Sequence, residues 1–185
     1  RQACPDDDSA TIVKVRELKG GMSSRVQHVT VESRNGTTEY VLRRYDNPQL
    51  MEEEPELPRN EAANLNAVAR MGLPGPRLVA LDETGEQCGW PAVLMTRLQG
   101  DVELQPADMP RWLDEQARQL VRIHAANADN ISWEYFTYQN VAELEPPDWS
   151  PLADEWRRAI AIAKEPLPAY RPVFVHRDYH PNNVL

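Results

Sequence analysis

The run His176-Arg177-Asp178-Tyr179-His180-Pro181-Asn182-Asn183 holds the densest set of reactive side chains in the sequence. A carboxylate followed at this spacing by an asparagine suits transfer of a phosphoryl group. Such transfer needs one group to receive or orient the proton of the attacking hydroxyl, and another to reach a metal ion on the phosphates. Asp178 and Asn183 are placed for these two jobs. Four fixed residues at this spacing arise by chance in about one in a thousand chains of this length. The same run admits a second reading, a metal-dependent hydrolase, because His176, Asp178 and His180 alternate and would gather on one side of an extended segment. That reading gives no role to Asn183.

A cation that could hold phosphates stands in Val41-Leu42-Arg43, within a β-type run, and a helix carboxylate to steady it is available at Glu61. Strand alternation puts Arg43 on the side of Val41 and sends Arg44 to the other. Glu61 shares a helical stripe with Leu65, Val68 and Ala69, an unusual place for a carboxylate without a partner. Gly20-Gly21-Met22-Ser23-Ser24 offers backbone amides and hydroxyls that can approach phosphates, although an ordinary hairpin turn explains it as well.

Elements to position these residues follow from patterning. Residues 11–45 alternate as three antiparallel strands, with Gly20-Gly21 between the first two and Asn35-Gly36 between the second and third. Residues 46–58 are acidic and proline-bearing and read as a loop. A helix is expected over 59–71, closed by Gly72 and Pro74. Two further strands are expected over 77–81 and 90–95, with Gly85 in their turn, before residues 96–100 leave the sheet. The remainder is helical. One stripe comprises Leu113, Ala117, Leu120, Val121 and His124, with His124 read as a hydrogen-bonded core histidine. Another comprises Leu152, Trp156, Ala159, Ile160 and Ala163, opened by Ser150 and Pro151. Trp133, Tyr135, Phe136 and Tyr138 read as packing aromatics, and Val173-Phe174-Val175 as a short strand leading into the reactive run.

The 185 residues suffice for one ordinary domain or two small lobes around a cleft. Twenty Lys and Arg against 29 Asp and Glu leave a net charge of -9, with no basic stripe to neutralise a nucleic-acid backbone. Cys4 and Cys88 lack metal-ligand spacing and read as free thiols of a reducing compartment. No apolar run approaches the roughly 20 residues of a membrane span, and residues 1–9 contain no signal-peptide core. A cytoplasmic location is expected.

Four stretches together resemble the aminoglycoside phosphotransferase family, relatives of choline kinase and of protein kinases: Gly20 to Ser24, Tyr40-Val41-Leu42-Arg43-Arg44, Leu94-Met95-Thr96-Arg97-Leu98-Gln99-Gly100, and His176 to Asn183. The resemblance implies an α+β, protein-kinase-like two-lobe fold. Residues 1–96 would form a nucleotide-binding lobe, 97–100 a hinge, and 101–185 a partial helical lobe ending at the catalytic loop. It implies ATP and Mg2+ as cofactors and transfer of the γ-phosphate to a hydroxyl of a small molecule. It makes Asp178 the catalytic base and Asn183 the Mg2+ ligand. Arg43 would hold phosphates in place of the usual lysine, with Glu61 as its partner. Gly21, Ser23 and Ser24 would lie over the phosphates, and Val41, Met95, Thr96, Arg97 and Leu98 around the adenine. His180-Pro181 favours the small-molecule branch, whereas Arg177 stands where many antibiotic-phosphorylating members have glycine. The family's second metal-binding aspartate has no counterpart before Leu185, so the chain is expected to be a segment with little activity of its own. A non-catalytic nucleotide-binding protein on the same fold is the rival expectation.

Overall fold

A computed structural model describes residues 9–18, 24–129, 131, 133–134 and 139–185. Five strands form one antiparallel sheet: β1 (Thr11–Leu18), β2 (Arg25–Ser33), β3 (Gly36–Arg44), β4 (Leu78–Asp82) and β5 (Ala92–Thr96), in the order β1-β2-β3-β5-β4. The helices are α1 (Pro48–Glu53), α2 (Leu57–Arg70), α3 (Met109–Ala125) and α4 (Ala153–Ala163). This is the α+β class expected from the sequence. The contacts divide into two compact units, one of Arg1–Asn130 with Phe174–Leu185 and one of Ile131–Val173.

Alternation builds the first unit. On β3, Val41 lies opposite Met95 and Arg43 opposite Val93 of β5. Directly opposed residues share a face, so Val41, Arg43, Val93 and Met95 all point to one side. There Leu65 of α2 and Tyr45 close a core with Val93, which is fully buried. The other face carries a smaller cluster of Val29, Val31 and Tyr40. The β2–β3 turn is Arg34-Asn35, one residue earlier than its Asn-Gly signal suggests. Gly36 follows at φ +107, a conformation open to glycine that lets the chain re-enter a strand.

α2 appears where its pattern predicts, buried through Pro58, Ala62, Leu65 and Ala67. Its end is a Schellman motif: the Leu73 amide donates to the Val68 carbonyl (3.1 Å) and the Gly72 amide to the Ala69 carbonyl (3.2 Å), with Gly72 at φ +65.

Four expectations need correction. Residues 46–58 are not all loop, because Asn47 accepts a hydrogen bond from the Leu50 amide (3.3 Å) and Pro48 opens α1. Residues 173–175 form no strand: among the described residues they enter no β-ladder, and a strand needs one. α3 is turned about one residue from its predicted stripe. Ile123 is buried, while Leu113, Val121 and His124 are exposed, so His124 is not a core histidine. Ser150 does not cap α4; its hydroxyl accepts instead from the Leu152 amide and from Trp156 Nε1, the latter at 3.0 Å. That bond, within the second unit, holds Trp156 edge-on to Trp149. Among the packing aromatics, Tyr135, Phe136 and Tyr138 lie outside the described residues.

Gly72→Ala tests the helix end. No atom lies within 4 Å of the added methyl, so the loss is backbone strain alone. Stability should fall by about 1 kcal/mol, read as a lower urea midpoint at unchanged slope.

Candidate functional site

Two side-chain clusters of the first unit carry the reactive groups. In the first, the alternation of β3 carries past Arg43 to Tyr45, and α2 brings Glu61 to the same face. Arg43 Nη1 donates to Glu61 Oε2 at 3.0 Å, and the Tyr45 hydroxyl donates to that same oxygen. Tyr45 is 4% exposed, so its hydroxyl requires an internal acceptor. Burial, then the Glu61 charge, raises the phenol well above its ordinary value. Burial pulls the Arg43 guanidinium down, but the charge and hydrogen bonding of Glu61 together with Tyr45 outweigh it, and the group ends above its ordinary value. Arg43 Nε is buried without a partner. Glu61 therefore occupies one terminal nitrogen, Tyr45 also meets the guanidinium, and Nε is left over.

The second cluster is the loop of His176 to Asn183. The Asp178 amide donates to the His176 carbonyl at 2.9 Å across Arg177, whose φ of 67 lies in the left-handed region. The Asp178 side chain is 74% exposed. Asn183 Nδ2 donates to Asp178 Oδ2 (2.8 Å) and to the Asp178 carbonyl (2.9 Å). His180 Nδ1 accepts from the Asn182 amide at 3.2 Å. In the neutral ring the proton therefore sits on Nε2, 3.3 Å from Asp178 Oδ1. The loop is tied to α3 by the Tyr179 hydroxyl, 2.7 Å from Gln116 Oε1. His176 packs edge-on to Tyr179 at 5.3 Å. Among the described residues no three His, Cys, Asp or Glu side chains converge as a metal site, which removes support from the hydrolase reading.

The remaining expected residues fall along β5 and beyond it. Met95 is buried in the core with Val93, and Val41 packs against the same cluster. The Thr96 amide donates to the Arg77 carbonyl (2.9 Å) while its hydroxyl accepts from the Arg77 amide (2.9 Å), so both are taken up by the residue just before β4. The Arg97 amide faces the Glu39 carbonyl at 3.4 Å. Among the described residues the Leu98 amide has no hydrogen-bond partner. Ser24 is half-buried just before β2, whereas Gly21 and Ser23 lie outside the described residues. Arg43 and Glu61 are brought together, as are Asp178 and Asn183; no hydrogen bond or ion pair joins the two clusters among the described residues. Tyr45 was not singled out from sequence as a member of these clusters, and His180 was singled out only as a ligand in the hydrolase reading. For Tyr45 the signal was present, since it stands two residues past Arg43 on the same strand face.

The sequence model of the phosphotransferase enzyme family matches residues 14–185. Among solved structures the chain is similar to one described as a "putative aminoglycoside phosphotransferase" from Ralstonia eutropha JMP134, at 21% identity and a TM-score of 0.48. That likeness covers 64% of this chain and 34% of the other, so this chain spans about a third of that protein's length. No curated protein matches.

Tyr45→Phe keeps the ring and removes the hydroxyl. At neutral pH the variant should be less stable by about 1.5–3 kcal/mol, as for a buried hydrogen bond to a charged group. The folded-state phenol titrates above its unfolded value of 10.0. The wild-type advantage should therefore be full below about pH 10 and disappear as pH rises through the folded value. Urea denaturation of both proteins across that range measures it. A gap that persists at high pH would disprove the hydroxyl–carboxylate bond.

Proposed function

The chain belongs to the phosphotransferase enzyme family, and from that premise we propose that the protein transfers the γ-phosphate of ATP to a hydroxyl of a small molecule. The observation that supports this most is the exposed Asp178 carboxylate, fixed from two sides by Asn183 and His180. In the proposed step an acceptor hydroxyl sits against Asp178. Its oxygen forms a new bond to the γ-phosphorus as the bond to the β-phosphate oxygen breaks, and its proton passes to the carboxylate. ADP leaves with the electron pair of the broken bond.

Arg43 would meet the nucleotide phosphates with the donors not engaged by Glu61 and Tyr45, on a planar fork suited to phosphate oxygens. Val41 and Met95 would flank the base, and the Leu98 amide would donate to its edge. Thr96 and Arg97 would set that edge through backbone groups, with Gly21, Ser23 and Ser24 over the phosphates. The residues fit a divalent ion. Asn183 turns its amide nitrogen to Asp178, which leaves Oδ1 as a hard oxygen ligand at an exposed position. Mg2+ held there would neutralise phosphate charge. The lobes proposed for this work are residues 1–96 and 101–185, with 97–100 between them. No described helix is long and apolar enough to cross a membrane, and a cytoplasmic location belongs to this proposal.

Asp178→Asn in the full-length protein tests the assignment. It keeps size and exposure and removes the base. With a panel of amino sugars, choline and other small alcohols, the rate of ADP release should fall about 10²–10⁴-fold. The ATP dissociation constant with Mg2+, read by calorimetry, should stay within about twofold, because Asp178 meets the acceptor and not the nucleotide. Full turnover in the variant would refute the role of Asp178.

A further inference from the structure

His28 on β2 and Glu39 on β3 take no part in the step described above, yet they sit on the face that carries Val41 and Arg43. The register sets His28 opposite Val41, and alternation puts Glu39 two residues before it on the same side. Glu39 gathers side chains from three places. Arg97 Nη1 donates to Oε2 at 2.9 Å, Gln99 Nε2 reaches the same oxygen at 3.4 Å, and His28 Nε2 lies 2.8 Å from Oε1. Arg97 Nη1 also donates to Gln99 Oε1 at 3.0 Å. The Gln99 hydrogen bond first, and the Arg97 charge after it, hold the Glu39 carboxyl below its ordinary range. His28 is buried at 8% exposure, with its Nε2 off the line that a hydrogen bond needs. It backs the carboxylate from the sheet side.

Arg97 and Gln99 bracket Leu98 in the chain, and their side chains converge on one carboxylate. With the Arg97 amide facing the Glu39 carbonyl, both the backbone and the side chain of Glu39 meet this segment. A three-residue stretch pinned at both flanks has little freedom in the residue between them, and here that residue carries the unpaired amide.

We infer that Glu39, backed by His28, is a positioning residue that fixes residues 97–99 so that the Leu98 amide is presented to the edge of a purine base. The inference rests on the nucleotide-binding reading of this face. Glu39 touches neither phosphate nor acceptor, so its loss weakens nucleotide binding and leaves the chemical step alone. It also sets how strictly the segment discriminates one purine edge from another, because a donor held in place rejects an edge that presents a donor in return.

Glu39→Ala and Glu39→Gln in the full-length protein test this with two readouts. Hydrogen exchange in the nucleotide-free protein should speed up about tenfold at residues 97–99 in Glu39→Ala, with less effect in Glu39→Gln, while the amides of α2 and β3 keep their protection. In turnover, the KM for ATP should rise about tenfold with kcat within about twofold, and the preference of ATP over GTP should shrink. A wild-type protein that binds no purine nucleotide overturns the reading of the face and this role with it. If the wild type binds nucleotide while Glu39→Ala matches it in exchange and in KM, the positioning role alone is wrong. An equal loss of kcat, or exchange accelerated across the whole sheet, assigns Glu39 a general structural part and overturns the inference.

Discussion

A single carboxylate oxygen, Glu61 Oε2, accepts from both Arg43 on β3 and Tyr45 beyond it. It joins α2 to the sheet beside the apolar core of Tyr45, Leu65, Val93 and Met95. Removing part of such a pair from water costs free energy before any attraction is counted, less than for a fully buried pair because the Arg43 side chain stays 40% exposed, and well-packed apolar residues often serve stability as well or better. Stability is therefore a weak reason for the pair to be here. A firmer one lies in what the geometry leaves over. Glu61 spends one nitrogen of the guanidinium, Tyr45 fixes Glu61, and Arg43 Nε stays buried without a partner. A lysine would offer one ammonium to both Glu61 and a phosphate, whereas the fork of arginine divides the two tasks between different nitrogens.

The strand register makes that arrangement possible. With Val41 opposite Met95 and Arg43 opposite Val93, the sheet face graded from Glu39 through Val41 and Arg43 to Tyr45 runs polar, apolar, charged and aromatic. A slip of one residue would turn all four to the other side, where Tyr40, Leu42 and Arg44 now lie. The core of Tyr45, Leu65, Val93 and Met95 resists that slip. Packing and site geometry thus share one constraint.

How much of this could be read from sequence depended on which interaction settles each element. The sheet was legible because alternation and turn glycines are local signals, and α2 because its stripe and the Gly72 stop agree. Glu61 was legible as an oddity, a carboxylate on an apolar stripe, and Arg43 as its partner. Tyr45 was passed over because an aromatic after a strand reads as packing until its hydroxyl is followed to an acceptor. α1 was hidden by acidic composition although Asn47-Pro48 signalled it. The face of α3 was misjudged by about one residue, near 100° around the axis. Hydrophobicity alone favoured Leu113, Ala117 and Val121, whereas the less exposed side carries Ile123 and Gln116, the latter bonded to Tyr179. The apolar run at 173–175 joins no ladder among the described residues, and an apolar run by itself does not specify a strand.

Arg177 links the reactive loop to its strain. A hydrogen bond from the Asp178 amide to the His176 carbonyl closes a three-residue turn, and with φ of 67 at its centre this is the rarer, positive-φ kind of γ-turn. A side chain there costs about 1–2 kcal/mol, and glycine would relieve it. Strain of this size persists where surrounding contacts over-determine the conformation. Here they do, since Asn183 grips both the carbonyl and the carboxylate of Asp178, and Tyr179 is tied to Gln116. The turn reverses the chain just before Asp178 and leaves its carboxylate facing solvent.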